Sequence, residues 1–245
     1  MVTPTTTTTT TTGMATSTAD ANALLQLMWL ASPALPVGGF SYSEGLEAAV
    51  DAGLVHDRGS ATTWLREQAT LVLARSELPL LHAAHLAWRQ HDAPRIAELN
   101  AWALATRESA EFRLQTEQMG RSLLEWHRQG PQAGDARLAT LAALVPAPAW
   151  PVAFALGTAL ADAGEREALL AFAFAWCEAM SQAAIKAVPL GQAAARQMLA
   201  ALVADLPGLV EQALATPDAQ RQAFTPLLAI HSARHESQYS RLFRS

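Results

Sequence analysis

Lysine, cysteine and the β-branched residues are scarce in this chain of 245 residues. Valine occurs 10 times and isoleucine 3 times, against 53 alanines and 35 leucines. Alanine and leucine favour helices, whereas β-branched residues favour strands. The composition therefore predicts an all-α protein and excludes a large β-sheet. For a chain of this length we expect a single-domain, multi-helix bundle of about ten helices.

The near absence of lysine excludes one class of nucleotide-binding protein. Lys186 is the only lysine, and it stands in the sequence Ile185-Lys186-Ala187. A Walker A loop needs a Gly-Lys pair followed by Ser or Thr, so the chain has no such loop. The net charge is −5, from 17 basic and 22 acidic residues. Nucleic-acid binders usually carry a basic surface, so we expect no nucleic-acid partner.

Cysteine and long apolar runs are also missing. Cys177 is the only cysteine, so the chain cannot form an internal disulfide or a cysteine-rich zinc site. It lies in an apolar segment, which raises the pKa of a thiol and makes it unreactive. No 18 apolar residues follow one another without interruption, and the N-terminus lacks a basic and apolar leader. We expect a cytoplasmic protein with no membrane-spanning helix.

The chain divides into a head and one helical body. Residues 1–20 include eight consecutive threonines, which bury too little to offset their ordering entropy, and predict a disordered extension. Residues 22–245 predict one all-helical domain. Its clearest loop is 130–151, where four prolines separate two halves of the bundle.

One helix looks suited to the centre of the bundle. The segment 165–186 is apolar on nearly every side, and Glu178 is its only charge between Glu167 and Lys186. A helix that is apolar all round is expected to be enclosed by other helices. We therefore predict a central buried helix near 165–186, with Trp176 in the core.

A loop near the N-terminus is unusually apolar. Residues 33–43 contain two prolines and two glycines, which prevent a continuous helix, yet they also contain Phe40 and Tyr42. Such a loop either packs on the body or is held against a partner. The spacing of Ser41 and Glu44 predicts a capping box that starts the next helix.

Two histidine pairs have helical spacing. His231 and His235 stand at i and i+4 with Glu236 adjacent, a spacing that suits metal ligation, although no third ligand is evident. The alternative is that they are solvated polar side chains. His82 and His85 lie among apolar residues, which favours core or surface positions over ligation. A helical metal-binding protein or enzyme that uses His231, His235 and Glu236 is the alternative function.

Lys186 ends the apolar segment 165–186. A cation near a helix C-terminus is favourable in itself, because it offsets the helix dipole. The other interpretation is a functional cation that faces a partner or lines a pore.

The last residues of the chain, 234–245, carry the strongest signal outside the core. They combine Tyr239 and Phe243 with Arg241 and Arg244, although chain ends are usually polar and frayed. Tyrosine and arginine are enriched at binding hot spots. The segment is therefore a candidate docking tail, and the alternative is that it folds back and caps the bundle.

Five motifs in order resemble the UreF family of urease accessory proteins, over about residues 24–245. The motifs are LPVGGFSYSEGLE at 35–47, RESAEFRLQTEQMGRSLL at 107–124, PVAF at 151–154, KAVPLGQ at 186–192, and RHE at 234–236 followed by YSRLF at 239–243. The threonine-rich head and the details of 130–150 lie outside the resemblance.

The resemblance implies a helical, homodimeric, non-enzymatic scaffold. Such proteins bind UreD, which contacts apo-urease, and the GTPase UreG, which brings nickel. The resemblance therefore implies regulation of GTP-dependent nickel insertion, with nickel handled by the complex and no cofactor bound tightly by this chain. By position, it assigns partner binding to Phe40, Tyr42, Tyr239, Arg241 and Arg244. It also assigns a functional role to Lys186.

Overall fold

The computed structural model describes residues 18–245, and every regular element in that part of the chain is helical. The predicted extension, residues 1–20, lies outside the described residues except for its last three positions, which begin the first helix. The α-helices are α1 (Thr18–Leu30), α2 (Leu46–Asp51), α3 (Arg58–Gln68), α4 (Leu78–Arg89), α5 (Ala93–Ala105), α6 (Ala110–Arg128), α7 (Arg137–Ala142), α8 (Trp150–Leu160), α9 (Glu165–Ala187), α10 (Gln192–Leu214) and α11 (Pro226–Glu236). The all-α prediction is confirmed.

The centre of the fold is the pair α4 and α8. All residues of α8 from Pro151 to Ala159 are buried, and Trp88 of α4 is fully buried against this helix. The indole of Trp88 donates a hydrogen bond of 2.9 Å to the carbonyl of Val152, so its one polar atom is satisfied inside the core. Helix α8 begins with a proline in its first turn, where a missing N–H costs nothing.

Helices α3 and α4 are joined without a break by a π-helical segment, whose turns are wider than those of an α-helix. Residues Ala69–Glu77 are π-helical and lead directly into α4. Pro79 has no N–H and its ring crowds the carbonyl four residues earlier, which disfavours ordinary helical turns at this point. That carbonyl, of Arg75, instead accepts a hydrogen bond of 3.0 Å from the amide of Gln222. The junction therefore ties the segment before α11 to the core.

The segment after α7 passes very close to α6. A Cβ at Gly120 would lie 2.0 Å from the carbonyl oxygen of Pro148, so only glycine permits this approach. The side chain of Asn100 fixes the same segment, donating to the carbonyl of Ala147 at 2.9 Å and accepting from the amide of Ala149 at 2.7 Å. The predicted loop 130–151 is therefore tightly packed, and it contains the short helix α7.

The predicted central helix near 165–186 corresponds to α9, but α9 does not lie at the centre. One face is buried through Phe172, Cys177 and Met180, whereas Phe174 on another face is 39% exposed. Trp176 is half-buried rather than fully enclosed. A helix that is apolar on every side is expected to be buried on several sides. The apolar pattern does not tell whether the residues that bury it belong to the same chain or to a partner. The central position belongs to α8.

Helices α9 and α10 are each long and apolar enough to cross a membrane, judged by length and composition alone. This is weak evidence, because core helices of soluble proteins have the same properties. The two helices pack against each other, and half of the most apolar part of α9 is buried inside the protein.

Candidate functional site

A polar stripe on α6 is the foundation of the candidate site. Glu111, Gln115, Gln118 and Ser122 follow one another at helical spacing, so they share one face of α6. The hydroxyl of Tyr42 donates to Gln118 at 2.6 Å. Gln115 Nε2 donates to Glu44 at 2.8 Å. Arg241 and Ser245 at the end of the chain donate to Glu111 and Gln115 of the same stripe. The apolar loop and the end of the chain therefore meet on this stripe, and we call this region the junction of residues 33–47, α6 and 234–245.

Two carboxylates hold the C-terminal tail in the junction. Glu47 accepts hydrogen bonds from the backbone amides of Leu242 at 2.7 Å and Phe243 at 2.9 Å. Glu111 accepts from the guanidinium of Arg241 at 2.6 Å. His235 lies fully buried between the two carboxylates, with Nδ1 2.7 Å from Glu111 and Nε2 3.1 Å from Glu47. The two ring nitrogens of His235 therefore link the two carboxylates that hold the tail.

The last residues of the tail continue into the loop. The carbonyl of Ser245 accepts from the backbone amide of Ser43 at 2.8 Å and from its hydroxyl at 2.6 Å. The amide of Arg244 donates to the carbonyl of Ser41 at 2.8 Å. Phe243 is 5% exposed and belongs to the hydrophobic core. The tail thus folds back on the bundle, which is the alternative that the sequence left open.

The five residues assigned to partner binding lie in different settings. Phe40 is 71% exposed and Tyr239 is fully exposed. Arg241 and Arg244 are also at the surface. Tyr42 is only 4% exposed, so its ring supports the junction from inside rather than offering a free surface. Burial raises the pKa of the Tyr42 hydroxyl, and the neighbouring Arg244 guanidinium opposes that rise. The partner role of these residues stays a prediction.

Lys186 and Phe40 line the same cavity of about 190 Å³, between α1, the loop and α9. Lys186 is exposed in the last turn of α9, where its charge offsets the helix dipole. Its ammonium forms no ion pair with another described residue. The cation is therefore available to a partner, although its role stays a prediction.

The α1–α9 face is the exposed apolar surface that α1 forms together with Phe40 at the cavity. It consists of five side chains, of which Phe40 lines the cavity and all are 48% to 71% exposed, namely Leu24, Leu25, Met28, Trp29 and Phe40. Apolar patches of this kind mark interaction sites.

Glu44 is a functional candidate that the sequence did not single out. The predicted capping box is wrong, because Glu44 points inward and α2 begins after Gly45. The carboxylate accepts from the indole of Trp176 at 2.8 Å as well as from Gln115, and it lines two cavities, of about 90 and 190 Å³. Burial raises the pKa of Glu44, although these two donors oppose the rise. The backbone of Glu44 also adopts a positive φ of 52°.

The two histidines of α11 make structural contacts inside the protein. His231 and His235 are buried rather than solvated, and both nitrogens of His235 face carboxylates. Glu236 accepts from the amides of Ala110 and Glu111, so it caps the start of α6. Among residues 18–245, no group of three or more His, Cys, Asp or Glu side chains is placed to hold a metal ion. The geometry does not favour the metal-binding alternative.

The other candidate groups are structural. Nδ1 of His85 is 2.9 Å from the hydroxyl of Thr158, and burial lowers the pKa of His85 to about 4. Nε2 of His82 is 2.6 Å from Glu165. Burial raises the pKa of the Cys177 thiol to about 12, in the direction that the apolar segment predicts.

Sequence reasoning missed the two tail-binding carboxylates, Glu47 and Glu111. A usable signal for Glu111 was the helical spacing of four polar residues on α6, namely Glu111, Gln115, Gln118 and Ser122. A row of polar side chains on one face of a helix that packs on the protein needs polar groups opposite it. Glu47 carried no comparable pattern.

Comparisons with known proteins identify the family of this chain. The family model described as UreF matches residues 55–203. Three relatives are named urease accessory protein UreF. That of Methylibium petroleiphilum is 62% identical over 225 residues, which cover 92% of this chain and 95% of the relative. Those of Paracidovorax citrulli and Polaromonas sp. are 58% and 55% identical, covering 92% of this chain and 90% and 96% of the relatives. The chain belongs to the UreF family of urease accessory proteins, which are non-catalytic chaperones rather than enzymes.

Proposed function

We propose that this chain is a cytoplasmic scaffold that bridges UreD, bound to apo-urease, and the GTPase UreG, and so regulates GTP-dependent nickel insertion into urease. The observation that carries the proposal is the junction itself. Glu47 binds two backbone amides of the tail and Glu111 binds the guanidinium of Arg241, while Tyr239 and Leu242 point into solvent at 61% exposure or more. An ordered tail with exposed aromatic and aliphatic side chains is suited to protein docking.

The proposal gives the metal to the complex and not to this chain. The carboxylates and the imidazole of the junction are already engaged with one another and with the tail. We therefore propose that the chain binds no tight cofactor, and that nickel is handled by the partners it holds together.

The α1–α9 face is the proposed homodimer surface. Its exposed apolar side chains include Leu25 and Met28 at 61% exposure each and Phe40 at the cavity, and a second copy would cover them. Burial of such area is the dominant favourable contribution to most protein association. Met28→Glu is expected to yield monomers in light scattering, whereas Val203→Glu, at an exposed apolar position on α10, is expected to leave the dimer intact.

The bridging role is tested by reconstitution. The full chain is mixed with purified UreD and UreG in the presence of GTP and analysed by size-exclusion chromatography with light scattering. A complex that contains all three proteins is expected, and the double variant Tyr239→Ala, Leu242→Ala is expected to weaken it. Phe224→Ala is the matched control, because Phe224 is also an exposed aromatic, at 79%, outside the junction. Failure of the parent chain to bind either partner would overturn the proposal.

A further inference from the structure

A cationic groove opens on the loop side of the junction. It has a volume of about 400 Å³ and lies between the loop, α6 and the end of the tail. Its polar lining comprises Tyr42, Gln118, Arg121, Ser122 and Arg244. The groove exists only while the tail is folded back, because Arg244 closes one side of it.

Positive charge prevails at this groove in an otherwise acidic chain. On the α6 side, the single carboxylate of Glu117 is shared by Arg113 at 3.1 Å and by Arg121 at 3.0 Å. Arg113 and Glu117 lie outside the groove lining, so the guanidiniums that line it are those of Arg121 and of Arg244 from the tail. None of the described residues that line the groove is acidic, whereas the whole chain carries a net charge of −5.

The donors of the groove are available and held in position. Arg121 uses Nη2 for Glu117, and half of its side chain is exposed, which leaves further N–H groups free. The hydroxyl of Ser122 makes no hydrogen bond to any other residue between 18 and 245. Arg244 is anchored through its own amide to Ser41. Pre-positioned guanidiniums recognise carboxylates by paired hydrogen bonds.

The size of the groove favours a peptide over a small anion. A volume of about 400 Å³ suits a ligand of several side chains, as in typical organic-ligand sites. Pro36 forms an exposed apolar wall, and a Cβ at Gly38 would meet no atom within 4 Å, so the loop backbone leaves room for another chain.

We propose that this groove binds an acidic segment of a partner protein through Arg121 and Arg244. The proposal rests on the proposed function in that it supplies the chemistry by which one partner is recognised. The ligand groups that we propose are glutamate or aspartate side chains. Inorganic phosphate also carries negative charge, so the test must distinguish binding of the peptide from binding of phosphate.

The test uses the full chain and a fluorescently labelled tetraglutamate peptide, with tetraglutamine as the uncharged control. Binding is measured by fluorescence anisotropy at low and high salt. Arg121→Glu and Arg244→Glu are each expected to weaken binding by about tenfold or more, because each removes an attraction and adds a repulsion. Arg128→Glu is the matched control, since Arg128 is an exposed arginine of α6 that pairs with Glu125 and does not line the groove. Melting temperatures of all variants establish that they fold.

The outcomes separate this inference from the proposed function. Tighter binding of tetraglutamate than of tetraglutamine or phosphate, lost in the two groove variants and kept in Arg128→Glu, would support the inference. Equal loss in Arg128→Glu, equal competition by phosphate, or no binding at about 1 mM peptide would overturn it. Assembly with UreD and UreG alongside no peptide binding would leave the scaffold standing without the acidic-segment groove. Peptide binding without assembly would support the acidic-segment groove and overturn the scaffold.

Discussion

The core around α4 and α8 and the junction at the C-terminus are held together by different forces. The core is apolar: Trp88 and Phe154 are fully buried, and the one polar atom of Trp88 is satisfied internally. The junction is polar: Glu47 and Glu111 bind backbone amides, an imidazole and a guanidinium. Loss of core packing affects the whole fold, whereas loss of a few polar contacts opens a local segment. The proposed binding function therefore uses the region that can change without unfolding the protein.

The largest expected effect comes from a substitution in the apolar core. Phe154→Ala removes a fully buried ring that packs against Phe172 and Trp150, with ring centroids 5.1 and 5.3 Å away. We expect a loss of about 3–5 kcal/mol in the free energy of unfolding, from lost transfer energy and the cavity left behind. Denaturant unfolding measures it. The exposed Phe224→Ala should change stability by less than about 0.5 kcal/mol, and equal effects of the two variants would refute the assignment of the core.

Acidification is the second test, and it acts on two histidines of the core. Burial lowers the pKa of His85 and of His127 from 6.5 to about 4. Between these values the unfolded chain binds more protons than the folded one, so stability is highest above pH 6.5 and falls towards pH 4. Each histidine accounts for at most about 3 kcal/mol of this loss.

His127→Gln should flatten part of the pH profile, because glutamine does not titrate. Unfolding free energies measured at several pH values between 4 and 7 provide the comparison. An identical slope in the variant and the parent would show that His127 does not contribute to acid sensitivity.

The third test weakens the contacts that hold the tail in the junction. Glu47→Gln removes the charge that faces the amides of Leu242 and Phe243, and it places an amide donor near them. Hydrogen bonds to charged groups contribute about 1.5–3 kcal/mol each. We expect faster hydrogen exchange at these two amides with little change in global unfolding. Exchange that accelerates equally in α8 would mean that the junction and the core are one cooperative unit.

The smallest expected effect on stability comes from Arg241→Ala. The Arg241 side chain is 42% exposed, and exposed ion pairs contribute about 1 kcal/mol or less. We expect nearly unchanged melting but weaker association with UreD or UreG, because the tail loses its contact with Glu111. Association is measured by co-purification. Unchanged binding to both partners would remove Arg241 from the docking surface.

The same contrast explains what the sequence could predict. Alanine and leucine content predicted the helices, and the apolar loop and tail drew attention to the two segments that meet at the junction. The sequence misplaced the centre of the bundle, because the length of α9 drew attention away from α8, which is shorter, carries no charged residue and is the helix that its neighbours enclose. It also missed Glu44 and Glu47, since a buried carboxylate is recognised by its donors, which come from distant parts of the chain such as Trp176 and Phe243.

The most direct measurement compares the parent chain with Glu47→Gln in complex formation with UreD and UreG. Size-exclusion chromatography with light scattering reports the complex, and hydrogen exchange at Leu242 and Phe243 reports the tail in the same samples. The account predicts that Glu47→Gln frees the tail, keeps the melting temperature and loses much of the complex. A fully retained complex despite a freed tail would contradict the claim that the ordered junction is the docking surface.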